Sequence, residues 1–313
     1  MDSVTSMLRS AWGTYKAHWK LFTGIVAAPS ALTLFGQFLL QTHSILLKIL
    51  GGILMLAGSL GFFIAQIAIV TTIQKIDRNE AVLGIKQQFK EALPFFWPIV
   101  FAGILQALTL FGATSLFMIP GIIIGLYCTF YMFTVIVGGK RGFEALTESY
   151  SIVYGRWWTV FGKVITPAVV AIVLSFIVVG ARFAIGGLLG IHAGTIASVN
   201  LQQVLSTIFN IVIIPVFMVY LYRLYMSMNG TRSQTAPAAT FKKWLVGFLV
   251  LGIIVTVCFG GSLFFAGMNA TKYQGGALFM NGEYRTRLEQ GNPMTPEEIQ
   301  KMIQSRIPST PTY

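Results

Sequence analysis

The sequence predicts an all-α, polytopic transmembrane helical bundle of about seven spans, with amphipathic surface helices on its cytoplasmic side. Three observations carry this. The 313-residue chain is 55% hydrophobic and only 10% charged, where a soluble domain averages about 25% charged. Its mean hydropathy is +0.73, and seven apolar runs reach or approach the ~20 residues that cross a bilayer. Its basic residues alternate between connections in a way that fixes orientation.

The runs cover residues 21–40, 49–73, 95–113, 119–137, 158–179, 204–221 and 244–266. The first begins after twenty residues and is longer than the 7–15-residue apolar core of a signal peptide, so it reads as a retained span. The third and fourth are divided by residues 114–118 and the pair Pro120-Gly121, where a tight turn fits because the residue before a proline disfavours helix.

One set of connections holds Arg9, Lys16, Lys20, Lys75, Arg78, Lys86, Lys90, Lys140, Arg141, Arg156, Lys163, Arg223, Arg232, Lys242 and Lys243. The short loops of the other set hold only Lys48 and Arg182. Fifteen against two places the N-terminus in the cytoplasm, and seven spans then place the C-terminal tail outside. The expected location is a cell membrane of the bacterial inner-membrane type. The net charge of +12 sits in short clusters between the apolar runs and is not gathered in one domain, so it argues for anionic headgroups over nucleic acid.

Residues 183–199 are apolar and small, with Gly186, Gly190 and Gly194 spaced by four. A full span here would turn the last basic cluster outward. A re-entrant or surface-lying segment is therefore expected, with the glycines either permitting close backbone approach or simply making a flexible loop.

Three connections have amphipathic helical texture: 4–18, 80–93 and 143–155. Each leads into aromatic residues suited to headgroup depth. Tyr15, Trp19, Trp97, Tyr154 and Trp158 are the expected interfacial anchors. Setting Ser10 on Ser149 also places Tyr15 on Tyr154, Trp19 on Trp158 and Phe22 on Phe161, at a constant offset of 139. Residues 1–228 thus read as three parallel units of surface helix plus transmembrane hairpin, the middle one matching poorly. A polar linker (229–243), a seventh span (244–266) and a polar tail (267–313) follow. In the tail, Thr295-Pro296-Glu297-Glu298 has the pattern of a capped helix start. Ile299, Met302, Ile303 and Ile307 would share one face, suited to a membrane or a protein partner.

Pro120-Gly121, the apolar run after it, then Ala145, Ser149, Gly155 and Trp158 resemble the membrane domain associated with glycerophosphodiester phosphodiesterases and its stand-alone multi-pass relatives. Ser10 to Phe22 resembles the opening of such domains. The resemblance covers residues 1 to about 228, and it implies a fold more than an activity. In fused relatives the hydrolytic chemistry belongs to a separate soluble domain. An acidic residue expected soon after the fourth span is missing from Gly138-Gly139-Lys140-Arg141.

The residues offer little chemistry. The ten acidic residues lie outside the spans, and His18, His43 and His192 are far apart. No metal-binding, nucleotide-binding or nucleophile motif occurs, so neither catalysis nor a cofactor is expected. Cys128 and Cys258 sit in apolar runs and read as small buried hydrophobes. Lys48, Lys163 and Arg182 approach the bilayer near span ends, where long side chains snorkel. The amides Gln66, Gln106 and Asn210 are the candidate intramembrane polar positions, expected to bond neighbouring helices. The expected function is a non-catalytic scaffold or accessory protein acting on lipid or partner proteins. The alternative is a permease or channel for a small solute, and a continuous polar cavity lined by those three amides would favour it.

Overall fold

A computed structural model of the chain describes residues 3–192, 194–230 and 236–259, together with Ser262, Thr295, Glu297 and Glu298. It is an all-α polytopic bundle with no strand among the described residues. The helices are α1 (Val4–Ala17), α2 (Trp19–Leu40), α3 (Ile45–Asp77), α4 (Ile85–Leu116), α5 (Met118–Tyr127), α6 (Tyr131–Ile136), α7 (Gly142–Val153), α8 (Trp157–Leu188) and α9 (Ile196–Asn229). A tenth, α10, runs over Ala238–Phe259. Counting α5 and α6 together, seven segments among the described residues are long and apolar enough to cross a membrane.

Several spans are longer than their apolar runs. Helices of 32–34 residues, as α3, α4, α8 and α9 are, extend about 50 Å at 1.5 Å per residue. That exceeds a hydrocarbon core of about 30 Å. The excess of α3 and α9 forms the packed core. Phe22, Ile25, Ile67, Ile69, Ile73, Phe130, Phe133, Tyr220, Tyr222 and Tyr225 are buried together. This is the end that carries the clustered basic residues, where Arg223 pairs with Asp77 at 2.9 Å and Lys75 with Glu91.

Of the three surface helices expected, α1 forms, capped by the Ser3 hydroxyl, which accepts from the Ser6 N–H at 3.2 Å. Its Met7, Ala11 and Tyr15 are buried, the four-residue spacing that puts side chains on one helix face, and the helix packs against α9. The second is not separate: α4 runs unbroken from Ile85 through Pro94 and Pro98. The third, α7, forms but is wedged into the bundle against α4, α5 and α6. Ala145, Leu146, Ser149, Tyr150, Ile152 and Val153 are all buried.

The fourth span is divided into α5 and α6. Ser149 spans the break: its hydroxyl donates to the Tyr127 carbonyl at 2.7 Å and accepts from the Phe130 N–H at 3.1 Å. Two backbone groups left over by the interruption are thereby satisfied inside the protein. Pro167 creates a similar vacancy in α8. It has no N–H for the Lys163 carbonyl four residues earlier, and the Tyr220 hydroxyl donates to that carbonyl at 2.6 Å.

Residues 183–199 are neither re-entrant nor surface-lying. They are the end of α8, a turn and the start of α9. The Ile191 N–H bonds the Gly186 carbonyl at 2.7 Å and the Gly190 N–H bonds the Gly187 carbonyl at 3.3 Å. With Gly190 at φ +67, this is a Schellman helix stop. The close glycine packing lies elsewhere, in the α2–α3 hairpin. A Cβ on Gly36 would stand 2.7 Å from the Gly51 carbonyl oxygen, and one on Gly58 would stand 2.3 Å from the Thr33 hydroxyl. Small residues let those backbones touch.

At the offset of 139 the element starts of the first and third segments fall within one residue of each other: α1 and α2 begin at Val4 and Trp19, α7 and α8 at Gly142 and Trp157. The serines are not equivalent, since Ser10 is exposed and Ser149 is fully buried.

The chain up to Gly252 is one compact unit, and residues from Ile253 on form another. Within the first, α10 is packed in, contrary to an appended span: Phe241 stacks on Tyr150 with ring centroids 3.9 Å apart, and Leu245 is buried. In the second, Ile253, Ile254 and Val257 are exposed, as is Cys258, which the sequence reading buried. The Thr295 N–H donates to Glu298 Oε2 at 2.9 Å and the Glu298 N–H to the Thr295 hydroxyl at 3.4 Å. This is the reciprocal capping box expected there. The amphipathic face of Ile299, Met302, Ile303 and Ile307 lies outside the described residues.

Candidate functional site

Polar side chains inside the spans gather at one place. Ser30 and Thr33 of α2, Ser59 of α3, and Gln203, Thr207 and Asn210 of α9 line a crevice of about 270 Å³, with Leu34 and Phe62 as its apolar wall. On α9 the spacing of Gln203, Thr207 and Asn210 is i, i+4, i+7, one helix face. On α2 and α3 the lining residues fall near the middle of the helix.

Three of the hydroxyls are already committed as donors within their own helices. Thr33 donates to the Pro29 carbonyl at 3.1 Å, Ser59 to Met55 at 2.8 Å and Thr207 to Gln203 at 2.8 Å. Their oxygens remain as acceptors toward the crevice. The side-chain amides of Gln203 and Asn210 make no hydrogen bond to another described residue. Gln203 is half-buried and Asn210 exposed, so both amides are open to water or a ligand in the crevice, and leaving them unpaired against lipid would cost roughly 2–7 kcal/mol each.

The crevice ends inside the protein. Toward the basic end the same three helices continue into Phe22, Ile25 and Val26, into Ala65 to Ile73 apart from half-buried Gln66, and into Val219 to Tyr222, all buried. At the opposite end Gln41 donates to Asn200 Oδ1 at 2.7 Å, joining the end of α2 to the start of α9.

The three amides singled out from the sequence are not brought together. Asn210 lines the crevice and is exposed, whereas Gln66 on α3 and Gln106 on α4 are half-buried and line neither it nor a continuous polar path with it. Ser30, Thr33, Ser59, Gln203 and Thr207 are not among the sequence candidates. The signal for three of the six polar lining residues is the polar face of α9, which the apolar run 204–221 divides between Gln203 and Thr207.

The anchors divide as well. Trp19, Trp97 and Trp158 are 52%, 71% and 77% exposed, as aromatic belts require. Tyr15 is only 6% exposed; its hydroxyl lies 3.2 Å from the Thr23 hydroxyl and its ring stacks on Phe22. Tyr154 is half-buried against Tyr150. Burial pushes the Tyr150 phenol up to about 12, with Tyr127 and Tyr154 adding to the effect. Lys163 is 9% exposed and packs into the bundle where snorkelling to the interface was expected.

At the basic end two open grooves meet at Gly84 and Ile85. One, of about 650 Å³, is lined by Lys16, His18, Trp19 and Lys20, and the other, of about 780 Å³, by Lys86, Phe89 and Lys90. Four ammonium groups and an exposed indole thus border one surface. Among the described residues no three of His, Cys, Asp and Glu come together as metal ligands would.

Compared with known family models, curated proteins and solved structures, the chain matches none of them.

Proposed function

We propose that this protein is a non-catalytic membrane scaffold or accessory protein that holds anionic lipid at its basic end. The observation that carries the reading is the construction of that end. A packed core of aromatic and aliphatic side chains fills this end, while Lys16, Lys20, Lys86, Lys90 and Trp19 border open grooves. Each basic residue near an anionic surface contributes about 1 kcal/mol, and an indole with one polar edge belongs at that depth. The same counting of basic residues puts this end and the N-terminus in the cytoplasm and the C-terminus outside, in a membrane of the bacterial inner-membrane type. The C-terminal tail would serve a protein partner.

The test is lipid selectivity. The full chain is placed in phosphatidylcholine nanodiscs containing a fixed share of phosphatidylglycerol, and the lipid retained on extraction is quantified. The wild type should retain excess phosphatidylglycerol, in a salt-sensitive manner. The combined variant Lys16→Gln, Lys20→Gln, Lys86→Gln, Lys90→Gln should lose that excess with its helix content unchanged. Equal retention by both proteins overturns the reading.

The crevice favours a second reading, a permease for a small neutral solute. Proteoliposomes that re-swell faster than empty vesicles after an erythritol step would promote it over the scaffold.

A further inference from the structure

We infer that the crevice between α2, α3 and α9 binds the hydroxyl groups of a neutral polyhydroxy ligand at mid-depth in the bundle. No Asp, Glu, Lys, Arg or His lines it. An ion entering it would leave water without a counter-charge, which membrane interiors resist. The ligand is therefore neutral.

The hydrogen-bonding inventory narrows the class. Thr33, Ser59 and Thr207 have donated their protons to carbonyls of their own helices and offer acceptor oxygens. Gln203 and Asn210 each present both a carbonyl oxygen and an NH₂ group. A ligand that satisfies this set must donate and accept at closely spaced points. Adjacent hydroxyls do both, while ethers and esters only accept. Leu34 and Phe62 supply an apolar wall for the C–H face of a sugar or polyol.

Size agrees with the chemistry. At about 30 Å³ per water, a 270 Å³ crevice holds roughly nine waters, enough for a four-carbon polyol or a single sugar ring. The flanks are apolar and exposed, with Leu32 and Phe35 on α2 and Ile208 on α9. The hydroxyls can therefore arrive on a free solute or on the headgroup of an uncharged glycolipid entering sideways from the bilayer. Both sources present the same chemistry to the same residues.

Saturation-transfer NMR on the full chain in nanodiscs separates the sources. Free erythritol is one probe, and octyl glucoside below its micelle concentration is the other. Wild-type protein should transfer saturation to at least one of them. Transfer to erythritol identifies a free-solute site, and transfer to the glucoside headgroup alone identifies a lipid site. Asn210→Leu and Gln203→Leu should each weaken binding by about fivefold, the loss of one neutral hydrogen bond. Thr207→Val, which keeps the shape, removes one acceptor and should also weaken it. Circular dichroism confirms that each variant is folded. No transfer to either probe, or transfer unchanged in all three variants, overturns the inference. The lipid-retention result at the basic end does not bear on it, because those lysines lie outside the crevice.

Discussion

Replacing Tyr220 by Phe should destabilise the protein more while Pro167 is present than after Pro167 is replaced by Ala. The Tyr220 hydroxyl donates to the Lys163 carbonyl at 2.6 Å, and the tyrosine is fully buried. That carbonyl needs an outside donor because residue 167, a proline, cannot supply the i→i−4 N–H. Tyr220→Phe keeps the ring and removes the donor, leaving a buried acceptor unsatisfied. An orphaned acceptor costs about 1–3 kcal/mol, and side-chain hydrogen bonds measured between membrane helices average about 0.6 with a maximum near 1.7. About 1.5 kcal/mol is therefore expected. In Pro167→Ala the alanine N–H returns to Lys163, and Tyr220→Phe should then cost about 0.5 kcal/mol. The coupling energy of the cycle is about 1 kcal/mol. The assay is reversible unfolding of the four proteins by titrating SDS into mild-detergent micelles. If Tyr220→Phe costs the same in both backgrounds, the proline vacancy is not what the tyrosine fills.

Ser149→Ala should lower stability by about 2–4 kcal/mol, since it orphans the Tyr127 carbonyl and the Phe130 N–H together. Ser10→Ala, its partner in the repeat register, should stay within about 0.5 kcal/mol because Ser10 is exposed; thermal melts in detergent compare the two. Reporter fusions after Gly230 and at Tyr313 should report opposite sides of the membrane, and the same side for both would refute the cytoplasmic N-terminus and external tail.

Burial separates the two serines that the proposed repeat register pairs. The register that sets Ser10 on Ser149 brings the starts of α1 and α2 within one residue of those of α7 and α8, because the patterns that begin and end helices are local. It does not make the serines equivalent. α1 packs on the side of the bundle and leaves Ser10 in the open, whereas α7 sits against the interrupted helix pair α5–α6, whose broken backbone needs the hydroxyl of Ser149. Nothing in residues 142–153 announces that α5 breaks.

Sequence alone determined the fold class and the number of spans. Both depend on hydropathy summed over about twenty consecutive residues, and no distant contact alters that sum. It also located the capping box at Thr295, whose partners are three residues apart. It did not determine which polar groups share a site. Gln66, Gln106 and Asn210 look alike in sequence, yet only Asn210 joins the crevice, because membership depends on which faces of α2, α3 and α9 meet. Nor did it distinguish a glycine that stops a helix, Gly190, from those that let two helices touch, Gly36, Gly51 and Gly58. A missing Cβ serves both ends equally well, and only the neighbouring backbone decides which one it serves.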